Sequence, residues 1–153
     1  MSGLPHIPSR VAPDPGALPD RQNAIPILHE VRHALARLIE TGEETRIDLN
    51  AIPFGPGDEA RLVELLGDGE VAASVAALGP TRVRETAVPG VWLLDYRNAE
   101  GERLALHLEI APIPEILRTP REELAIAIAS LDARLQAAGG GARLTSWHRE
   151  EGQ

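Results

Sequence analysis

The 153 residues leave room for one domain, and with 43% hydrophobic but only 3% aromatic residues its core must be built from Leu, Ile, Val and Ala. The chain has no cysteine, which excludes structural disulfides, Cys-type zinc sites, thiolate-held iron–sulfur clusters and thiol nucleophiles. Twenty-three acidic against 15 basic residues give a formal charge of −8, which repels phosphate backbones, argues against nucleic-acid binding, and suits a partner with an Arg- or Lys-rich segment.

Residues 1–23 carry Pro5, Pro8, Pro13, Pro15 and Pro19 without apolar periodicity, so a disordered arm is expected there. The arm lacks the pattern of a secretory signal, and no stretch approaches the roughly 20 apolar residues of a membrane span, so the expected compartment is the cytoplasm. From Asn23 to about Thr41 the spacing of Ile27, Leu28, Val31, Leu35, Leu38 and Ile39 predicts a helix. Pro26 falls in its first turn, and Gly42 ends it.

Arg46–Leu49 reads as a short strand, closed by Pro53, Gly55, Pro56 and Gly57. Asp58 is the expected N-cap of a helix through Leu62, Val63, Leu65 and Leu66, with Gly67 as its C-cap. Glu70–Leu78 fits either helix, from its alanines, or strand, from Val71 and Val75.

Three strands are predicted next, at Arg82–Ala87, Val91–Arg97 and Arg103–Ile110. Pro89-Gly90 breaks the first pair, and Asn98-Ala99-Glu100-Gly101 makes a hairpin connection in the second. A last helix from about Pro120 to Ala138 puts Leu124, Ile128, Leu131 and Leu135 on one stripe. Gly139-Gly140-Gly141 ends it before a polar tail with Trp147. The expected architecture is α+β: an arm over 1–23, one domain over 24–138 with a small antiparallel meander and helices packed on one face, and a tail over 139–153.

Several constellations invite a chemical reading. His29-Glu30-Val31-Arg32-His33 fits H-E-x-x-H on a helix, the pattern of a zinc hydrolase in which Glu30 would activate a metal-bound water. On the helical wheel, however, His29 and His33 point nearly opposite to the apolar stripe, and neither His107 nor His148 is a clear third ligand. A solvated helix face is the plainer reading.

Gly67-Asp68-Gly69-Glu70 lacks the spacing of a dinucleotide fingerprint, and the absence of lysine rules out a P-loop; a helix cap followed by a turn accounts for it. Glu85, Asp95 and Glu109 could pair as acid and base across strands, though nothing in their spacing selects two of them. Ser74, Ser130 and Ser146 sit in no nucleophile elbow. Trp92, beside Pro89-Gly90, is a candidate core plug or interface anchor. The residues alone therefore yield an acidic α+β domain with no catalytic residue, cofactor or metal assigned.

Four pieces, in order and spacing, add a resemblance. They are Ile47-Asp48-Leu49 with Ile52-Pro53; Leu65-Leu66-Gly67-Asp68-Gly69-Glu70-Val71; Glu85-Thr86-Ala87-Val88-Pro89-Gly90-Val91-Trp92; and Glu109-Ile110-Ala111-Pro112-Ile113-Pro114-Glu115-Ile116-Leu117. Across roughly Ile25 to Leu135 the chain resembles the hydrogenase expression protein HupH family, also met as HyaF and HoxQ. It is similar to one unit of the longer members, as in the short relatives HupJ and HoxT.

The resemblance implies a non-catalytic, chaperone-like accessory of nickel–iron uptake hydrogenase maturation. Its implied partners are the iron–sulfur small-subunit precursor, with its twin-arginine signal, and other hydrogenase accessory proteins. Gly67, Gly69, Glu70, Glu85, Pro89, Gly90, Val91 and Trp92 then become candidates for partner binding, for structural roles, or for both. A zinc hydrolase through His29 and His33, or a structural module that forms a homodimer, is the alternative.

Overall fold

The computed structural model describes residues 23–76 and 79–139. Of the expected arm over 1–23 only Asn23 is described, and of the expected tail over 139–153 only Gly139; Trp147 and His148 lie outside the described residues. The described residues divide into two compact units, the first ending at Pro114 and the second beginning at Glu115.

Helix α1, Ala24–Thr41, is the first described element of the first unit. It buries Ala24, Ile27, Val31 and Ala34, with Leu28, Leu35 and Leu38 on the flanks of the same stripe. At about 100° per residue Ile39 lies about 80° from the stripe's centre, and it is 86% exposed rather than part of the packed face. Gly42 ends the helix in a left-handed conformation, its N–H donating to the Leu38 carbonyl at 3.0 Å.

Strand β1, Thr45–Asp48, follows and is closed by a one-turn 3₁₀ helix, Leu49–Ala51, in which the Asp48 carboxylate accepts the Asn50 N–H at 2.9 Å. Helix α2, Asp58–Leu66, differs from expectation at its start. Gly57 occupies the cap position, and Asp58 is the first helical residue, buried at 4% exposure. Its carboxylate turns back onto the incoming loop, accepting the Gly55 N–H at 2.9 Å and the Asn23 N–H at 3.4 Å. The carboxylate therefore ties the start of α1 to the start of α2 instead of capping α2 alone.

Four strands then form a meander: β2 (Ala72–Ala76), β3 (Pro80–Glu85), β4 (Val91–Arg97) and β5 (Arg103–Ile110). β2 resolves the ambiguous Glu70–Leu78 segment in favour of strand, and β3 starts and ends two residues earlier than the composition predicts. β1 returns to pair with β5, so the antiparallel sheet runs β1-β5-β4-β3-β2.

The register sorts side chains cleanly. Ile47, Leu108 and Leu93 form one row of partners, with Ile110 opposite Val91 on the same face. This face holds the core with α1 and α2, joined by Leu49, Leu62, Leu66 and Leu106. Alternation puts Trp92, Leu94, Val83 and Glu109 on the other face, and all four are buried.

In the second unit, a 3₁₀ turn at Glu115–Leu117 precedes helix α3, Arg121–Gly139. The predicted stripe of Leu124, Ile128, Leu131 and Leu135 is not a buried face: these residues are 53%, 67%, 58% and 61% exposed. Ile126 and four alanines place apolar atoms on other sides of the helix as well, so the apolar residues do not gather on one side.

Candidate partner-binding surface

The two glycine-containing segments singled out in the sequence meet in space. α2 ends at Leu66, and Gly67 turns the chain with φ of +67°, a conformation that disfavours a side chain. The chain then runs beside the end of β3. Gly69 donates its N–H to the Glu85 carbonyl at 2.9 Å, Glu85 donates to Val71 at 2.8 Å, and Ala87 donates to Leu66 at 2.9 Å. A Cβ on Gly67 would stand 3.0 Å from the Ala87 Cβ.

The turn from β3 to β4 is held from inside. Thr86, buried at 4% exposure, donates its N–H to Val91 at 3.0 Å, and its hydroxyl bonds the N–H and carbonyl of Val88, each at 3.2 Å. Gly90 takes φ of +80° at the tip. Between the two segments lies an open hollow of about 450 Å³, rimmed by Asp68, Glu70, Glu85 and Pro89.

Gly69, Glu70, Glu85 and Pro89 are thus brought together on the hollow, whereas Gly67 and Gly90 do not line it. Val91 and Trp92 are not part of that rim. Val91 is fully buried and Trp92 is 6% exposed, its indole Nε1 donating to the Ala111 carbonyl at 3.0 Å. That bond fastens β4 to the residue just after β5.

The three carboxylates considered as acid and base are separated by the sheet. Glu85 and Glu109 both face Trp92 across the strands, whereas Asp95 alternates to the opposite face. Glu109, 4% exposed, is paired with Arg46 at 2.7 Å. Asp95 receives Arg97 at 2.8 Å and Arg103 at 3.3 Å, and Arg103 also reaches Glu59 on α2 at 2.6 Å. Burial works against the Asp95 charge, but the hydrogen bonds and charges of Arg97 and Arg103 outweigh it and hold its carboxyl below the usual range. Burial likewise opposes the Arg103 charge, and Glu59 and Asp95 raise its basicity above the ordinary value.

His29, Glu30 and His33 lie exposed on the outer face of α1. No group of three metal-ligating side chains gathers among the described residues. No helix among the described residues is long and apolar enough to cross a membrane.

One feature went unread in the sequence. Arg82 and Arg84 share the core face of the sheet, opposite Asp95 and Leu93. Together with Arg103, Asp95 and Glu59 they line a groove of about 520 Å³ between α2 and the strands. The alternation of arginines around Val83 was its only sequence signal.

Residues 21–138 match the family described as HupH hydrogenase expression protein, C-terminal conserved region. The hydrogenase expression/formation protein HoxQ of Azotobacter vinelandii is 34% identical over 115 residues, covering 73% of this chain and 41% of that protein. HupH of Rhizobium leguminosarum bv. viciae is 30% identical over 122 residues, covering 80% and 42%. The chain thus spans about two fifths of the length of these relatives. A solved structure of the hydrogenase expression protein HupH from Thiobacillus denitrificans superposes with a TM-score of 0.71 at 43% identity, covering 75% of this chain and 96% of that one. Sequence and fold agree, and the chain belongs to the HupH hydrogenase expression protein family through its C-terminal conserved region.

Proposed function

We propose that this protein is a non-catalytic, chaperone-like accessory of nickel–iron uptake hydrogenase maturation, acting in the cytoplasm on the iron–sulfur small-subunit precursor. The observation that carries the reading is the family match over residues 21–138, together with relatives named as hydrogenase expression/formation proteins. The absence of cysteine adds a chemical reason: the chain offers no thiolate to compete for iron while a cluster-bearing subunit is held.

The hollow between the two glycine segments is the surface we assign to the partner. Asp68, Glu70 and Glu85 stand around it, and the whole chain carries −8, so a basic segment such as a twin-arginine signal is attracted to it. Val91 and Trp92 support this surface from within.

The test is affinity capture from a hydrogenase-producing host, with Glu70→Arg/Glu85→Arg as a parallel bait. The expected result is recovery of the small-subunit precursor with the wild-type chain and its loss with the folded double variant. Recovery of no hydrogenase protein under inducing conditions would sink the reading.

A further inference from the structure

The two edges of the sheet are not alike. β1 is four residues long, carries Arg46 and Asp48, and runs straight into a 3₁₀ turn. Those are the usual means of blunting a strand edge. β2 is one residue longer and lacks the charges. Its five residues, Ala72-Ala73-Ser74-Val75-Ala76, include no charge and no proline, and no described strand pairs with its outer side.

The hydrogen-bond phase shows what that edge presents. Glu85 donates to the Val71 carbonyl, so in an antiparallel ladder the backbone groups of 71, 73 and 75 turn toward β3. Those of Ala72, Ser74 and Ala76 turn outward. Three N–H and C=O pairs are therefore aligned for one more strand.

Side chains beside the edge select what that strand carries. Ser74 pairs with Arg82 and Ala72 with Arg84, so these four share one face. Arg82 is exposed and has no ionic partner among the described residues, and Arg84 is paired only with Asp68, whose side chain is 80% exposed. An added strand would lie about 10 Å from β3, two spacings of roughly 4.8 Å. The small Ser74 leaves a shelf across which a guanidinium can meet a glutamate from the far side. On the opposite face the neighbours are Ala73 and Val75, which suit a small apolar side chain.

We propose that the outer edge of β2, with Arg82 beside it, docks an extended partner segment that alternates acidic and apolar residues. This is strand addition, with main-chain bonds supplying affinity and alternate side chains supplying selectivity. A second copy of this chain fits less well, because antiparallel pairing of two β2 edges about Ser74 sets a second Ser74, and no carboxylate, in the row beside Arg82. The net charge of −8 opposes an acidic segment only weakly at this range, since the Debye length is about 8 Å at physiological salt and Arg82 is the residue paired with Ser74. The inference goes beyond the hydrogenase reading and does not depend on it.

The test uses the full chain and two blocked heptapeptides, one alternating glutamate with valine and the other lysine with valine. Titration is combined with backbone amide exchange. The glutamate peptide is expected to bind at least tenfold more tightly, slowing exchange at Ala72, Ser74 and Ala76. Arg82→Glu should reverse the preference. Ser74→Pro removes one outward N–H without touching the β3 ladder, and should abolish binding while the circular dichroism spectrum is kept. The proposal is overturned if neither peptide binds, if both bind equally, or if those amides are already slow in the free chain. A dimer that Arg82→Glu or Ser74→Pro dissociates would overturn it too, by assigning the edge to a second copy.

Discussion

Gly69 and Glu85 are joined by a 2.9 Å hydrogen bond, and the approach is so close that a Cβ on Gly69 would stand 2.5 Å from the Thr86 carbonyl oxygen and 2.9 Å from the Glu85 Cβ. The obstacle includes backbone, which cannot swing aside as a side-chain tip can. Gly69→Ala is therefore expected to cost about 2–3 kcal/mol, in the range of overpacked sites. Gly42→Ala is the control. Its φ of +72° is unfavourable for alanine but nothing lies within 4 Å, so the cost should stay near 1 kcal/mol. Denaturant midpoints of the two variants, compared with the parent, check the order.

Trp92 combines burial with a polar tie, and the two can be separated. Trp92→Phe keeps most of the ring but leaves the Ala111 carbonyl without its indole donor, a loss of about 1–2 kcal/mol. Trp92→Ala also opens a cavity and should cost about 3–5 kcal/mol. Thermal or denaturant unfolding distinguishes these, and an Ala variant as stable as the parent would show that the indole is not part of the core. The consequence for function is practical: partner capture lost in Trp92→Ala reports on folding unless stability is measured alongside, whereas Glu70 and Glu85 can be changed on the surface.

The sheet was legible where hydrophobicity alternates and turn residues intervene. β4 and β5 fall where predicted, because Trp92, Leu94, Leu106 and Leu108 follow period two and Asn98 to Gly101 supply the turn. β2 was not legible, since an alanine-rich run carries no period and only its pairing with β3 decides its conformation. Gly69 was visible as a glycine but not as a contact, because its neighbours are Glu85, at the end of β3, and Thr86, sixteen and seventeen residues on. Asp58 shows the same limit: an acidic residue at a helix start reads as a cap, and only the fold shows its carboxylate bonding the loop before α2 and the first residue of α1's approach.

Asp95 gives the clearest pH dependence. Its folded carboxyl titrates below the ordinary range, so the stability it contributes is fully present above about pH 4, the unfolded value, and is lost as the pH falls through the folded value. Asp95→Asn should lower stability at pH 7 by about 2 kcal/mol, since hydrogen bonds to a charged, mostly buried group are replaced by weaker ones. The difference between parent and variant should shrink below pH 4. Unfolding measured from pH 2 to 7 checks the sign; a difference that grows on acidification would contradict the assignment of Arg97 and Arg103 as its stabilising partners.

The apolar residues of α1, α2 and α3 should respond differently to truncation, although their sequences look alike. Leu62 on α2 is fully buried in the core, and Leu62→Ala should cost about 2–5 kcal/mol. Ile128 on α3 is 67% exposed, so Ile128→Ala removes little packed surface and should stay within about 0.5 kcal/mol. Ile39, 86% exposed at the end of α1, should behave like Ile128 rather than like Ile27, which is 4% exposed three turns earlier on the buried stripe. Denaturant unfolding of the four alanine variants tests the division. A large loss at Ile128 would mean that α3 is covered in solution, and repeating the measurement at several protein concentrations would separate cover by a second copy from cover within the chain.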